Sequence, residues 1–274
     1  MATNFGLVIV GDEILSGTRA DKHLPKTIEL LGARGLQLGY AHYVGDDPAR
    51  ITSTLARAFA AARSSGDVVF SCGGIGATPD DHTRQCAAKA LGVELALHPE
   101  AKRLIMERMQ DVAKEQGLPY EPDREDNIHR LNMGVFPVGA QIIPNPYNKI
   151  PGFSCQAGEG AVHFVPGFPV MAWPMMEWVL DQRYSHLHQK SAYIEKSVIV
   201  FGSMEATLTP LMLAIEAAHE GVKVFSLPSV DHPDYGRHIE LGVKGAPEAV
   251  SLAYPALLTG LQKFEVKLGP ELVR

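Results

Sequence analysis

Two short stretches hold the residues whose types and spacing could do chemistry. Residues 71–83, SCGGIGATPDDHT, set Gly73, Gly74 and Gly76 ahead of Asp80 and Asp81. Residues 11–17, GDEILSG, put Asp12 and Glu13 directly after an apolar run. Glycine lets the backbone turn sharply, and successive N–H groups ahead of a helix make a site for negative oxygen. Carboxylates repel that same oxygen. A divalent cation reconciles the two, because carboxylates hold it and it holds a phosphate. The Lys-Ser/Thr pair of a Walker A loop is absent, and the tail departs from the dinucleotide fingerprint. A plainer reading makes Thr78 an N-cap, Pro79 the first helical residue and the acids a favourable first turn. It accounts for residues 78–81 and leaves the three glycines unexplained.

The elements that must position these loops alternate in type. FGLVIV (5–10), LQLGYAHYV (36–44) and DVVFSC (67–72) read as strands. Helices are expected at 20–33, at 46–65 with Ile51, Leu55, Ala58 and Phe59 on one face, at 79–92 and at 99–117. Strands separated by helices of this length imply a mainly parallel sheet covered on both faces, hence a three-layer α/β domain. Ligands of such sheets lie at the carboxyl ends of strands where strand order reverses. Asp12, Glu13, Asp80 and Asp81 are therefore expected to converge, with Asp46 and Asp47 of VGDD added from the second strand. FSCQAGEGAVHFVPG (153–167) reads as a hairpin and 168–183 as a closing helix.

A second unit is expected from Ser185, giving domains 1–184 and 185–274. Its order, strand, helix, hairpin, helix, suits a small α+β sandwich, with the last helix kinked or broken near Pro255. GVKG (242–245) matches the GxxG of an RNA clamp only literally, since it sits at a strand end.

Composition bounds the function. The chain has 274 residues, 46% apolar and 20% charged, with net charge −6. The acidic balance and the lack of a basic stripe argue against nucleic acid. No apolar run is long enough to cross a bilayer, and the start lacks a signal-peptide pattern, so a cytoplasmic protein without a membrane partner is expected. Cys72, Cys86 and Cys155 are odd in number and unpaired in spacing, which argues against a disulfide framework or zinc knuckle.

GDEILSG, VGDD, GGIGATPDDHT, NPYNKIPGF and VPGFPVM occur in the order seen in the molybdopterin-binding fold family. The chain most resembles the N-terminal part of the competence/damage-inducible (CinA-like) proteins and the related domain of eukaryotic FAD synthases. The resemblance implies a homo-oligomer, and a ligand that is a phosphorylated pterin such as molybdopterin or a nucleotide diphosphate. It also implies a divalent metal (Mg, Mn or Co) in a pyrophosphatase acting on ADP-ribose-like compounds. Gly73, Gly74, Ile75, Gly76, Thr78, Asp81 and Thr83 fall on the family's phosphate and metal loop. Gly11, Asp12, Glu13, Ser16 and Gly17 fall on its first acidic loop, and Asp46 on an acid important for transfer in cofactor-biosynthesis relatives. Asn145, Lys149, Pro166 and Gly167 complete the ligand set. Ala77, Asn148-Lys149, Met171, Arg130 and Met133 depart from the family's usual residues. The family's amidohydrolase region has no counterpart, so that activity is not expected.

Two functions follow. As an enzyme, metal on Asp81, Asp80 and Glu13 would activate water toward a diphosphate, with Asp81, Asp12, Glu13 or Asp46 taking the proton. As a carrier, the same loops would hold a pterin or nucleotide without chemistry.

Overall fold

A computed structural model describes residues 3–188 and 194–274, and the chain divides into two compact units, Met1–His188 and Gln189–Arg274. In the first, β1 (Phe5–Val10) is buried along its whole length. Its side chains alternate between two cores: Phe5, Leu7 and Ile9 enter one, Val8 and Val10 the other. That double burial makes β1 the centre of three layers.

β1 runs through α1 (Asp12–Leu15) and α2 (His23–Gly32) to β2 (Leu38–Val44), then through α3 (Pro48–Ser65) to β3 (Val68–Cys72). Next come α4 (Thr83–Leu91), the antiparallel ribbon of β4 (Leu95–Leu97) and β5 (Val135–Pro137), and between these α5 (Pro99–Glu115) and α6 (Glu125–Leu131). β6 (Gln141–Ile143), β7 (Gly152–Ala157), β8 (Gly160–Val165) and α7 (Pro169–Arg183) complete the unit.

The main sheet has the order β2-β1-β3-β8-β7-β6, parallel from β2 to β8 and antiparallel at β7. Ile51, Leu55 and Phe59 of α3 and Cys86 and Ala87 of α4 fill one face. Leu30 and Leu31 of α2, with Met175, Met176, Val179 and Leu180 of α7, fill the other. The chain moves from β1 outward to β2 and returns past β1 to β3. Strand order therefore reverses between β1 and β3, which is where an open α/β sheet leaves a crevice at its carboxyl end.

Two local expectations change. The helix after the glycines starts at Thr83, not Pro79. The Asp81 Oδ2 accepts from the Thr78 amide at 2.8 Å and its hydroxyl at 2.6 Å, and the Asp81 amide donates back to the Thr78 carbonyl. Thr78 is thus consumed by a closed turn instead of capping a helix. The β4–β5 ribbon and α6, for which no periodic pattern stands out, also appear.

The second unit is an antiparallel sheet, β10-β11-β9-β12, built from β9 (Ile194–Phe201), β10 (Lys223–His232), β11 (Gly236–Gly245) and β12 (Lys267–Val273). The helices α8 (Glu205–Ala218) and α9 (Pro247–Leu261) bury Leu208, Ile215, Val250, Leu257 and Leu261 against it. β12 is an addition to the expected order. Gly269 and Pro270 mask it, and both fall at its register shift on an edge strand, where proline is tolerated. α9 runs through Pro255 without ending. GVKG lies inside β11, where a side chain at Gly242 would meet the Phe225 ring, so sheet packing explains its glycines.

Candidate functional site

At the reversal point the loops after β1, β2, β3 and β8 meet. The Gly11 amide donates to the Val44 carbonyl, tying the first two together. Asp12 and Asp46 then exchange bonds. The Asp12 amide donates to Asp46 Oδ2 at 2.8 Å, and the Asp46 amide to Asp12 Oδ1 at 3.2 Å. Asp12 Oδ1 occupies the space a side chain at position 45 would fill, so a larger residue there would displace the Asp12 carboxylate. Asp47 is used differently, capping α3 by accepting from the Arg50 amide. Of the two neighbouring acids, only Asp46 belongs to the crevice.

Loss of hydration pushes the Asp46 carboxyl above its ordinary range, and the charges of Asp12, Glu13 and Asp80 push the same way against the Asp12 N–H. Asp12, Glu13 and Asp80, from the loops after β1 and β3, thus act on the charge of Asp46 in the loop after β2. Asp81 stands apart. Its carboxylate is committed to Thr78, it packs against Gly76, and the charge it acts on is that of Arg84. Among the described residues no three His, Cys, Asp or Glu side chains are grouped to hold a metal. The expected ligand set of Asp81, Asp80 and Glu13 is therefore not assembled, because Asp81 is bonded into its own turn. What fits a hard cation is the Asp12–Asp46 pair, since magnesium takes one or two carboxylates and completes its shell with water and phosphate.

The glycine loop is packed from behind. A side chain at Gly73 would strike the Val10 carbonyl, one at Gly74 the Thr83 hydroxyl, and one at Gly76 the Asp81 carboxylate. Gly73 and Gly74 also have φ of 105° and 68°, conformations that favour glycine. The front of the loop is different. The amides of Gly74, Ile75, Gly76 and Ala77, four in succession, donate to no protein acceptor among the described residues. Behind them the Thr83 hydroxyl is fully buried and equally without a partner. Gly74 and Gly76 are half-buried and Ala77 is exposed, so the loop turns its free amides outward above one buried, unsatisfied hydroxyl, the arrangement of a nest for negative oxygen.

Gly167 brings the β8 loop within 3.5 Å of Gly73, measured from the position a side-chain carbon would take. Its carbonyl accepts from Nε2 of the buried His23 at 3.0 Å, and Pro166 precedes it in the same loop. Ser16 bonds the Glu13 carbonyl and Thr18, and Gly17 has φ 75°, so both shape the first acidic loop.

Two expected ligand residues are engaged elsewhere. Asn145 is buried and bonds Asn148, the Ile150 carbonyl and the Tyr147 amide, closing its own turn. Lys149 pairs with Asp111 of α5 at 2.6 Å instead of facing the glycines. Sequence reasoning missed Asp21, His23 and Arg84. Asp21 accepts from the amides of His23 and Leu24 and from the Tyr43 hydroxyl, fixing the start of α2. An aspartate two residues before a helix is the signal that could have found it.

Residues 6–186 match the family described as "Probable molybdopterin binding domain". The chain belongs to that family. A protein from Pyrobaculum arsenaticum is 32% identical over 75% of this chain and 72% of its own length. A CinA-like protein from Anaeromyxobacter dehalogenans is 31% identical over 79% of this chain but only 50% of that protein. This member of the molybdopterin-binding family therefore spans half of its longer CinA-like relative. The solved structure of CinA from Thermoplasma acidophilum, described as of unknown function, superposes with TM-score 0.54 at 27% identity, covering 66% of this chain and 98% of that one.

Proposed function

We propose that the first unit binds a phosphorylated small molecule, a phosphorylated pterin or a nucleotide diphosphate, with a phosphate on the amides of Gly74 to Ala77. The observation that carries this reading is that run of donors without acceptors at the reversal point of the sheet. Family membership supports a pterin-type ligand. A divalent cation (Mg, Mn or Co) enters the reading with the ligand, held by Asp12 and Asp46.

The test is calorimetric titration and thermal shift with ADP, ADP-ribose and a phosphorylated pterin, each beside its dephosphorylated form, with and without Mg²⁺. Only the phosphorylated compounds should bind, and Gly76→Ala should weaken them at least tenfold by pushing Asp81 and the loop out of place. Equal binding of dephosphorylated compounds, or no binding with any cation, removes the proposal.

One observation favours chemistry beyond binding. Glu13 and Asp80 act on Asp46 without being bonded to it, so a carboxylate besides the Asp12–Asp46 pair stands in the same crevice to take a proton. A bound cation would polarise phosphorus and lower the pKa of a water. With Asp12 and Asp46 holding the cation, Glu13 would take the proton that this water releases, and the amides would hold the charge growing on the phosphate oxygen. Release of AMP from ADP-ribose that disappears in Glu13→Gln, with binding retained, supports hydrolysis. Binding without release under Mg²⁺, Mn²⁺ and Co²⁺ leaves a carrier.

A further inference from the structure

Arg84 is a buried cation with no ion pair among the described residues. It is 5% exposed and sits on the first turn of α4. One guanidinium nitrogen donates to the Asn132 carbonyl, while its buried Nε has no partner. No carboxylate lies within ion-pair distance among the described residues. A charge removed from water without a partner is strongly unfavourable, and a planar fork of donors is the side chain best shaped for phosphate oxygens.

The cavity it lines has a volume of about 420 Å³, and Ala77, Thr78, Asp81, His82 and Asn132 form part of its wall. Ala77 is shared: it ends the run of unanswered amides and also borders this cavity. The two places thus adjoin at Ala77. Asp81 is the acidic group in the wall. Its Oδ2 takes both Thr78 donors and forms no ion pair with Arg84, so the Arg84 Nε is still without an acceptor among the described residues.

We infer that this cavity is a second anion subsite, in which Arg84 takes the phosphate next to the one on the amide loop. The ligand class is then a diphosphate in preference to a monophosphate. The inference rests on the phosphate reading of the amide loop. The volume exceeds what a phosphate fills and leaves room for the group esterified to it.

Inorganic phosphate and inorganic pyrophosphate are the probes, titrated calorimetrically into the full chain. Wild type should bind pyrophosphate at least tenfold more tightly than phosphate. Arg84→Met should keep the phosphate affinity, lose that preference, and melt no lower than wild type without ligand, because an unpaired buried charge has been removed. Arg84→Lys, which keeps the charge and loses the fork, should restore part of the preference and is read the same way if the methionine variant does not fold. A tenfold preference that survives Arg84→Met overturns the inference alone, as does equal binding of both anions by wild type. Wild type that binds neither anion overturns the amide-loop reading and the inference together.

Discussion

Two polar places in the first unit are handled in opposite ways. His163, on β8, is fully buried, and both ring nitrogens are bonded: Nδ1 with the Ser154 hydroxyl at 2.7 Å, Nε2 with the Tyr184 hydroxyl at 2.8 Å. Burial, aided by the Arg183 charge, pushes its pKa down to about 3, so the ring is neutral at every ordinary pH. A neutral imidazole has one donor and one acceptor, and hydroxyls can serve either, so nothing is left over. At the end of β3 the glycine loop offers four amides and the Thr83 hydroxyl with no acceptor among the described residues. Satisfaction belongs to architecture. Its absence at a strand end points outward, to something the chain does not itself provide.

The largest expected test of this contrast is acid. The folded-state pKa of His163 lies below the unfolded value of 6.5, so the unfolded chain binds the extra proton. This contribution is present above pH 6.5 and is lost by about 1.4 kcal/mol per pH unit as pH falls toward about 3. Urea unfolding from pH 7 to 4 should show a steeper decline for wild type than for His163→Leu; equal slopes would mean the ring is not held neutral.

Gly74→Ala should come next, at roughly 2 kcal/mol, through its left-handed backbone and its overlap with Thr83. It should also abolish any thermal shift by pyrophosphate. A mild, ligand-responsive variant would break the proposed loop geometry.

A paired substitution sharpens the comparison most directly. Ser154→Ala strips His163 of a partner and should cost about 1–2 kcal/mol, whereas Thr83→Val removes a hydroxyl with none and should stabilise the ligand-free protein by about 1 kcal/mol. The same chemical change then has opposite signs at the two places. Same-sign results in chemical denaturation would erase the distinction.

The smallest effect belongs to Asp46→Asn. A raised carboxyl means the charged form is disfavoured in the folded state, so neutralising it should stabilise the protein at pH 7 by less than about 1 kcal/mol after solvent screening. The gain should vanish as pH falls through the raised pKa. Equal stability of the two proteins across pH 7 to 4 would show that the acids of the three loops do not crowd one another.

Much of the main sheet was legible because β1 and β3 are short apolar runs and α3 repeats Ile51, Leu55 and Phe59 at helical spacing. The convergence of the Asp12, Asp46 and Asp80 loops followed from where such strands end. Asp81 was not legible. Its neighbours allow both a helix cap and a closed turn, and the choice is made by the Thr78 bonds and by Thr83 packing beneath Gly74. Lys149 was misplaced for a related reason: its partner Asp111 is 38 residues away on α5. Arg84 gave no signal, since an arginine on a helix is ordinarily a surface residue.

Local chemistry, written residue by residue, determined that this chain forms a layered α/β unit with glycines and acids at its strand ends. Patterns of apolar side chains are short in range, so they can be read from neighbouring positions without any long-range contact. Tertiary structure alone decided which acid joins Asp12, which carboxylate turns to its own loop, and which buried donors remain unanswered. Those outcomes depend on atoms brought together from α4, α5 and four strand ends, where a bond of about 3 Å can be made or missed by groups far apart in the chain.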